Sequence, residues 1–340
     1  LLICLLLFMT TVACSGQEEQ PAVSEAPTDA PILDPTPTLL QATSVPTATA
    51  PGEAAEEKPL PEVPTTVTTL PPIVTETIQP APTIPQVTIN GMPADQFIIM
   101  SPETRDNIRQ IYATGENVGR NPQIFSILGD SLIATPQSLA KWDGEDYTLG
   151  EYAFLQPTID QYAGSFGRYG VSVRVGLHSW SVFDPLWADK EFCLANEDVL
   201  ACEIRLNNPS MMIIFLGSND AGSPGGFNVN YRQLVETLIE QGIVPILATK
   251  ADRFEGGDNV NNGIIRKIAA DFQVPLLAFD ILADTLPGRG IGPDNVHLTF
   301  LEPMDYSSPE IFSVGYPVHN LASLMTLDAV RREINGIDEN

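Results

Sequence analysis

Six consecutive apolar residues, Met211-Met212-Ile213-Ile214-Phe215-Leu216, constrain this chain more than any other feature. The run has the length of a strand and no polar alternation. A strand apolar on both faces must be covered on both, the condition met by a parallel sheet with helices on either side. Gln123 to Leu128, Val244 to Ala248 and Leu276 to Phe279 fit the same sheet, and Val171 to Val175 alternates as a further strand. Helical segments lie between the runs. Ser101-Pro102-Glu103 opens one that extends to about Glu116, with Ser101 as cap and Pro102 in the first turn. Tyr231 to Gln241, Gly263 to Phe272 and Pro317 to Ile334 also carry helical spacing. The expected fold class is α/β, a three-layer α/β/α sandwich around a parallel sheet of about five strands. Sites in such sheets gather at the carboxyl ends of the strands.

The N-terminal quarter is of a different kind. Residues 1–13 (LLICLLLFMTTVA) are almost wholly apolar, too short for an ordinary membrane span and suited to the core of a signal peptide whose beginning is absent. The run ends in Thr11-Val12-Ala13-Cys14 and turns polar, resembling a bacterial lipobox that would leave Cys14 to carry lipid. Plain secretion is the alternative. Residues 14–87 form a linker with 15 prolines and a single basic residue, Lys58. Prolines at this density forbid helix and ladder and favour an extended, disordered tether. Residues 88–340 are read as one globular domain, large enough to fold without metal or disulfide.

The chain has 17 basic against 43 acidic residues, a formal charge of −26. Such a surface repels phosphate backbones, so nucleic acid is excluded as a partner. The expected partners are a small ester or acylated glycan and, through Cys14, a membrane; the chain is expected to act as a monomer. Of the four cysteines, Cys4 would leave with the leader, and Cys193 and Cys202 remain as a pair in the domain. Outside the cytoplasm such a pair is oxidised, and its spacing matches no common zinc site. No metal or organic cofactor is expected.

Three stretches at strand ends carry chemistry. Gly129-Asp130-Ser131-Leu132 places a serine at the carboxyl edge of the first long strand, where free backbone N–H groups suit a developing oxyanion. Gly217-Ser218-Asn219-Asp220 puts an amide at the next strand's edge, either as an oxyanion donor or as an Asx-turn. Asp294-Asn295-Val296-His297 sets a carboxylate and an imidazole three residues apart after the last strand. His319 falls within the final helix and His178 in a loop.

In order and placement these stretches resemble the four blocks of the SGNH/GDSL hydrolase superfamily, over about residues 122–335. The resemblance implies a flavodoxin-like fold and an ester hydrolase. Ser131 would be the nucleophile, Asp294 and His297 the rest of the triad, and Asn219 an oxyanion donor beside the N–H of Ser131. The family's second block often reads Gly-x-Ser-Gly-x-Thr; here it is Gly176-Leu177-His178-Ser179-Trp180-Ser181, so the donor N–H falls on Ser179. Serine takes positive φ less freely than glycine, which points to weak or narrow activity. An O-acyltransferase with the same triad and a binding protein on a hydrolase scaffold are the alternatives. The aromatics of Trp142 to Gln156 read as a packed helix or, alternatively, a carbohydrate surface, and the segment Trp187 to Arg205 as a wall of the site.

Overall fold

The computed structural model describes residues 87–337. The apolar leader, Cys14 and the linker up to residue 86 lie outside the described residues. A five-stranded sheet forms the centre. Its strands are β1 (Ile98–Ile99), β2 (Asn121–Gly129), β3 (Pro209–Phe215), β4 (Val244–Ala248) and β5 (Leu276–Leu277). The spatial order is β1-β5-β4-β3-β2. β2 to β5 are parallel, and β1 closes the far edge antiparallel to β5. All residues of β3 and β4 are buried, as their unbroken apolar runs require.

The long helices are α1 (Pro102–Asn117), α2 (Val199–Asn207), α3 (Pro224–Glu240), α4 (Val260–Phe272) and α6 (Gly315–Ile334), with a short α5 (Phe279–Ala283) between the last two. α1 packs against α6, and α3 against α4, giving a helical pair to each face of the sheet. Ser101 caps α1, its hydroxyl accepting the Thr104 N–H at 3.2 Å, with Pro102 in the first turn. α3 starts seven residues before the apolar spacing does, because Pro224 is preorganised for a first turn. α6 is the core helix, buried from Gly315 through Asp328.

The expected strand Val171 to Val175 contracts to a single parallel bridge, Gly129 with Val173. Side chains take the bonds a ladder would use. Glu203 accepts the Val171 N–H at 3.0 Å, and the Ser172 hydroxyl donates to the Ile127 carbonyl at 2.7 Å. Beyond the bridge Val175 is 73% exposed, so nothing holds an extended chain there. The fifth strand is instead β1, which the sequence reading did not anticipate. The 142–156 aromatics belong largely to the core: Trp142 and Tyr152 are buried, and Trp142 packs on Tyr147 and Tyr306. Cys193 and Cys202 are joined in a disulfide, their Cα atoms 5.4 Å apart. No helix among the described residues is long and apolar enough to cross a membrane.

Candidate active site

β2 ends at Gly129, where a Cβ would stand 3.0 Å from Ile133 and 3.4 Å from the Phe215 carbonyl. The close approach lets the chain turn at once and leaves Ser131 half-buried at the sheet's carboxyl edge. Among the described residues neither its hydroxyl nor its backbone N–H has a partner; the turn is fixed on either side of it by Ile133 and Ala134 donating to the Asp130 carbonyl, each at 3.1 Å.

His297 sits on a loop closed by an antiparallel bridge between Ile291 and Leu298. Asp294 organises the loop. One carboxylate oxygen accepts the N–H groups of Val296 and His297, each at 3.0 Å; the other meets His297 Nδ1 at 2.8 Å. Asn295 takes the left-handed conformation this turn needs, φ +62°. The His297 hydrogen bond, then the two backbone ones, hold the Asp294 carboxyl down at about 2. With Nδ1 engaged, His297 Nε2 has no partner among the described residues, on a ring 42% exposed.

The Ser131 and His297 loops meet at one end of the sheet. Leu132 and Ile133 line a cavity together with Val296 and Leu298. Tyr316, at the start of α6, ties the two loops: its hydroxyl donates to the Leu132 carbonyl and its N–H to the Thr299 carbonyl, each at 2.8 Å. No hydrogen bond joins Ser131 to His297 in this arrangement.

The oxyanion donors are placed less simply. Asn219 follows β3 after Gly217, whose φ of +129° and closeness to Phe227 exclude a side chain. Its amide donates to Asp130 at 3.2 Å and to the Leu177 carbonyl at 3.1 Å, so both hydrogens are engaged. Ser179 has φ −57°, in the helical region, and the positive φ that favours glycine in the family pattern is not required. Its N–H donates to both oxygens of the buried Asp220, at 3.2 and 3.1 Å, and its hydroxyl donates to one of them at 2.7 Å. The expected Ser179 donor is therefore occupied here by an internal carboxylate. Ser131 offers the free N–H.

The sequence reading missed Asp130, Asp220 and Tyr316. Asp130 and Asp220 stand in motif tetrapeptides, but no local spacing announces that both carboxylates are buried. Asp130 accepts the Leu132 N–H at 2.9 Å, and its carboxyl is pushed up to about 7. Burial is the main cause; the charges of Asp252 and Asp220 add to it, while the Leu132 N–H and His297 oppose it. Asp252 belongs to a buried cluster with Lys250 at 2.6 Å and the Ser218 hydroxyl at 2.6 Å. His319 is buried between Phe215 and Phe279, with burial driving it down to about 4, and it lines the same cavity. The one group close enough to ligate a metal among the described residues is Cys193, Glu197 and Cys202, and its two cysteines are spent in the disulfide.

No family model matches the chain, and no curated protein matches it. Solved structures do. The chain is similar to TesA at 15% identity, covering 61% of this chain and 99% of that one, with a TM-score of 0.40. It is similar to a putative lipolytic protein of the G-D-S-L family from Desulfitobacterium hafniense at 18% identity (60% and 99% covered, TM-score 0.36). An acetyl xylan esterase, AlAXEase, is similar at 17% identity (59% and 96% covered, TM-score 0.34). At these identities and scores the likeness does not decide the chemistry, which rests on the residues themselves.

Proposed function

We infer that the chain is a serine esterase of the SGNH/GDSL type, hydrolysing small esters, O-acetyl groups on glycans among them, outside the cytoplasm. One observation carries the reading. A carboxylate-oriented histidine with Nε2 unpartnered stands on a loop tied to that of a serine whose hydroxyl and N–H are both unpartnered. In the reaction the Ser131 hydroxyl turns toward His297 Nε2, which takes its proton as Oγ bonds to the ester carbonyl carbon. The carbonyl oxygen becomes an oxyanion, received by the Ser131 N–H. Asn219 joins by turning one amide hydrogen away from Asp130, a contact of 3.2 Å at the long end of the hydrogen-bond range. Ser179 joins only when Asp220 releases it. Collapse of the tetrahedral adduct expels the alkoxide, which takes the proton from His297 and leaves as the alcohol. Water then adds to the acyl-enzyme by the same steps, releasing the acid and restoring Ser131.

The location is part of the proposal. Lipidated Cys14 anchors the chain, and residues 15–87 hold the domain away from the membrane. The Cys193–Cys202 bond supports an oxidising compartment. The test is a fluorophosphonate probe on the full chain. Labelling mapped to Ser131 and absent in Ser131→Ala is the expected result; labelling elsewhere, or none, refutes the assignment.

A further inference from the structure

Beyond the bridge of Val173 with Gly129, two residues before Ser131, the chain runs through Gly176 to Trp187. The Leu177 carbonyl holds Asn219, and Asn219 holds Asp130, the neighbour of Ser131. Three rings gather on this segment. His178 lies 5.9 Å from Trp180 and 6.3 Å from Trp187, and the two indoles are 5.9 Å apart at 86°. Edge-to-face packing of this kind is usual in cores, yet Trp180 is 48% exposed and the other two rings are partly exposed. Neither indole N–H has a partner among the described residues. His178 spends Nδ1 on the Gly176 carbonyl at 2.8 Å and keeps Nε2.

The segment is braced. Ser181 bonds back to the N–H and the carbonyl of His178, each at 2.9 Å, and Ser179 is fixed to Asp220. Downstream, the disulfide and the Glu197–Arg205 ion pair hold the chain that follows Trp187. Large aromatic surface is thus kept in water on a rigid turn, an arrangement that binds with little ordering cost.

We propose that His178, Trp180 and Trp187 form a sugar-binding platform that stacks a pyranose ring from the alcohol part of the ester. Its catalytic meaning rests on the esterase reading; the binding itself does not. A sugar ring has a flat C–H face to lay on an indole and hydroxyls at its rim. Two indole N–H groups and His178 Nε2 supply partners for those hydroxyls. Asp184, in the same segment, accepts the Leu186 N–H at 2.9 Å through one oxygen, and its other oxygen has no partner among the described residues. A hydrocarbon chain or a bilayer would cover the same N–H groups and leave them unpaired. A phosphate headgroup would meet a chain of charge −26.

The test uses the full chain carrying Ser131→Ala, so that no turnover is needed. Tryptophan emission and calorimetry are followed against xylohexaose, mannohexaose and chitohexaose, and against phosphatidylcholine vesicles. At least one oligosaccharide is expected to bind and to shift the emission, with binding weakened about tenfold or more by Trp180→Ala and largely kept by Trp180→Phe. In the Ser131 protein, the acetylated form of that oligosaccharide should lose about ten times more kcat/KM on Trp180→Ala than p-nitrophenyl acetate does. Binding to none of the three, binding indifferent to Trp180→Ala, or emission shifts with vesicles alone overturns the platform. Sugar binding without hydrolysis of any ester would instead sink the esterase reading and leave the platform standing.

Discussion

Asp130 and His319 are buried titratable groups displaced in opposite directions, and their effects on stability oppose one another. The Asp130 carboxyl stands at about 7 against an unfolded value of 3.8, so the folded state holds a proton that the unfolded state loses. That contribution falls as pH rises from about 4 to about 7. His319 stands at about 4 against 6.5, so only the unfolded state binds its proton between those values, and that contribution rises over nearly the same window. Each is worth on the order of 3–5 kcal/mol at most, and in the native chain they largely offset. Thermal melts from pH 4.5 to 7.5 should show it. Relative to the native protein, Asp130→Asn should make stability climb more steeply with pH, and His319→Gln should make it decline. Parallel curves for all three proteins would show that the burial of these groups does not control the slope. At the proposed catalytic residues, Ser131→Ala and His297→Ala should each abolish hydrolysis of p-nitrophenyl acetate, by about 10⁴–10⁶ in kcat, because members of such a triad act as a unit. Asn219→Ala should cost about 10²–10³, and steady-state kinetics on the three variants tests both statements.

Elements were legible in the sequence where burial is complete and obscure where a side chain stands in for the backbone. β3 and β4 are unbroken apolar runs, and α1 carries its own cap and first-turn proline, so they were readable from local sequence. The expected strand at Val171 has the right residue types. It is lost to Glu203, thirty-two positions away, which no local pattern reveals. β1 is two residues of edge strand defined by β5 alone, and two residues carry no period. At the site, residue types and order pointed to Ser131, Asp294, His297 and Asn219; whether a donor is free was not legible, because it depends on where Asp130 and Asp220 lie in space. One junction between elements depends on the absence of side chains. A Cβ on Gly115 of α1 would come 2.2 Å from the Gly242 carbonyl, just before β4. Gly115→Ala should therefore destabilise the domain on the order of 3 kcal/mol despite its better helix propensity, measured by urea unfolding. An unchanged midpoint would mean the contact relaxes at little cost. Reducing Cys193–Cys202 is a gentler change. The chain-entropy gain is about 2.5–3 kcal/mol, so a domain of this size should stay folded with a melting point lower by about 5–10 °C.

For the molecule as a whole, the catalytic domain and the N-terminal quarter are expected to be separable. Cys14→Ser, expressed with its native leader, should move the protein from the membrane fraction to the medium or wash. Its kcat/KM on p-nitrophenyl acetate should be unaltered, since the proposed site residues all lie beyond Val87; retention in the membrane fraction would contradict the lipid anchor. The link from Tyr316 to the Leu132 carbonyl joins residues 184 positions apart. It has a consequence in time rather than in space. In a chain made from its N-terminus Ser131 emerges long before His297, and the tie from the His297 loop to α6 forms only once α6 has docked. On the proposed assignment the serine lacks its base until then, so an incomplete chain would carry a silent nucleophile. On that reading first turnover would mark the moment at which the last helix has arrived.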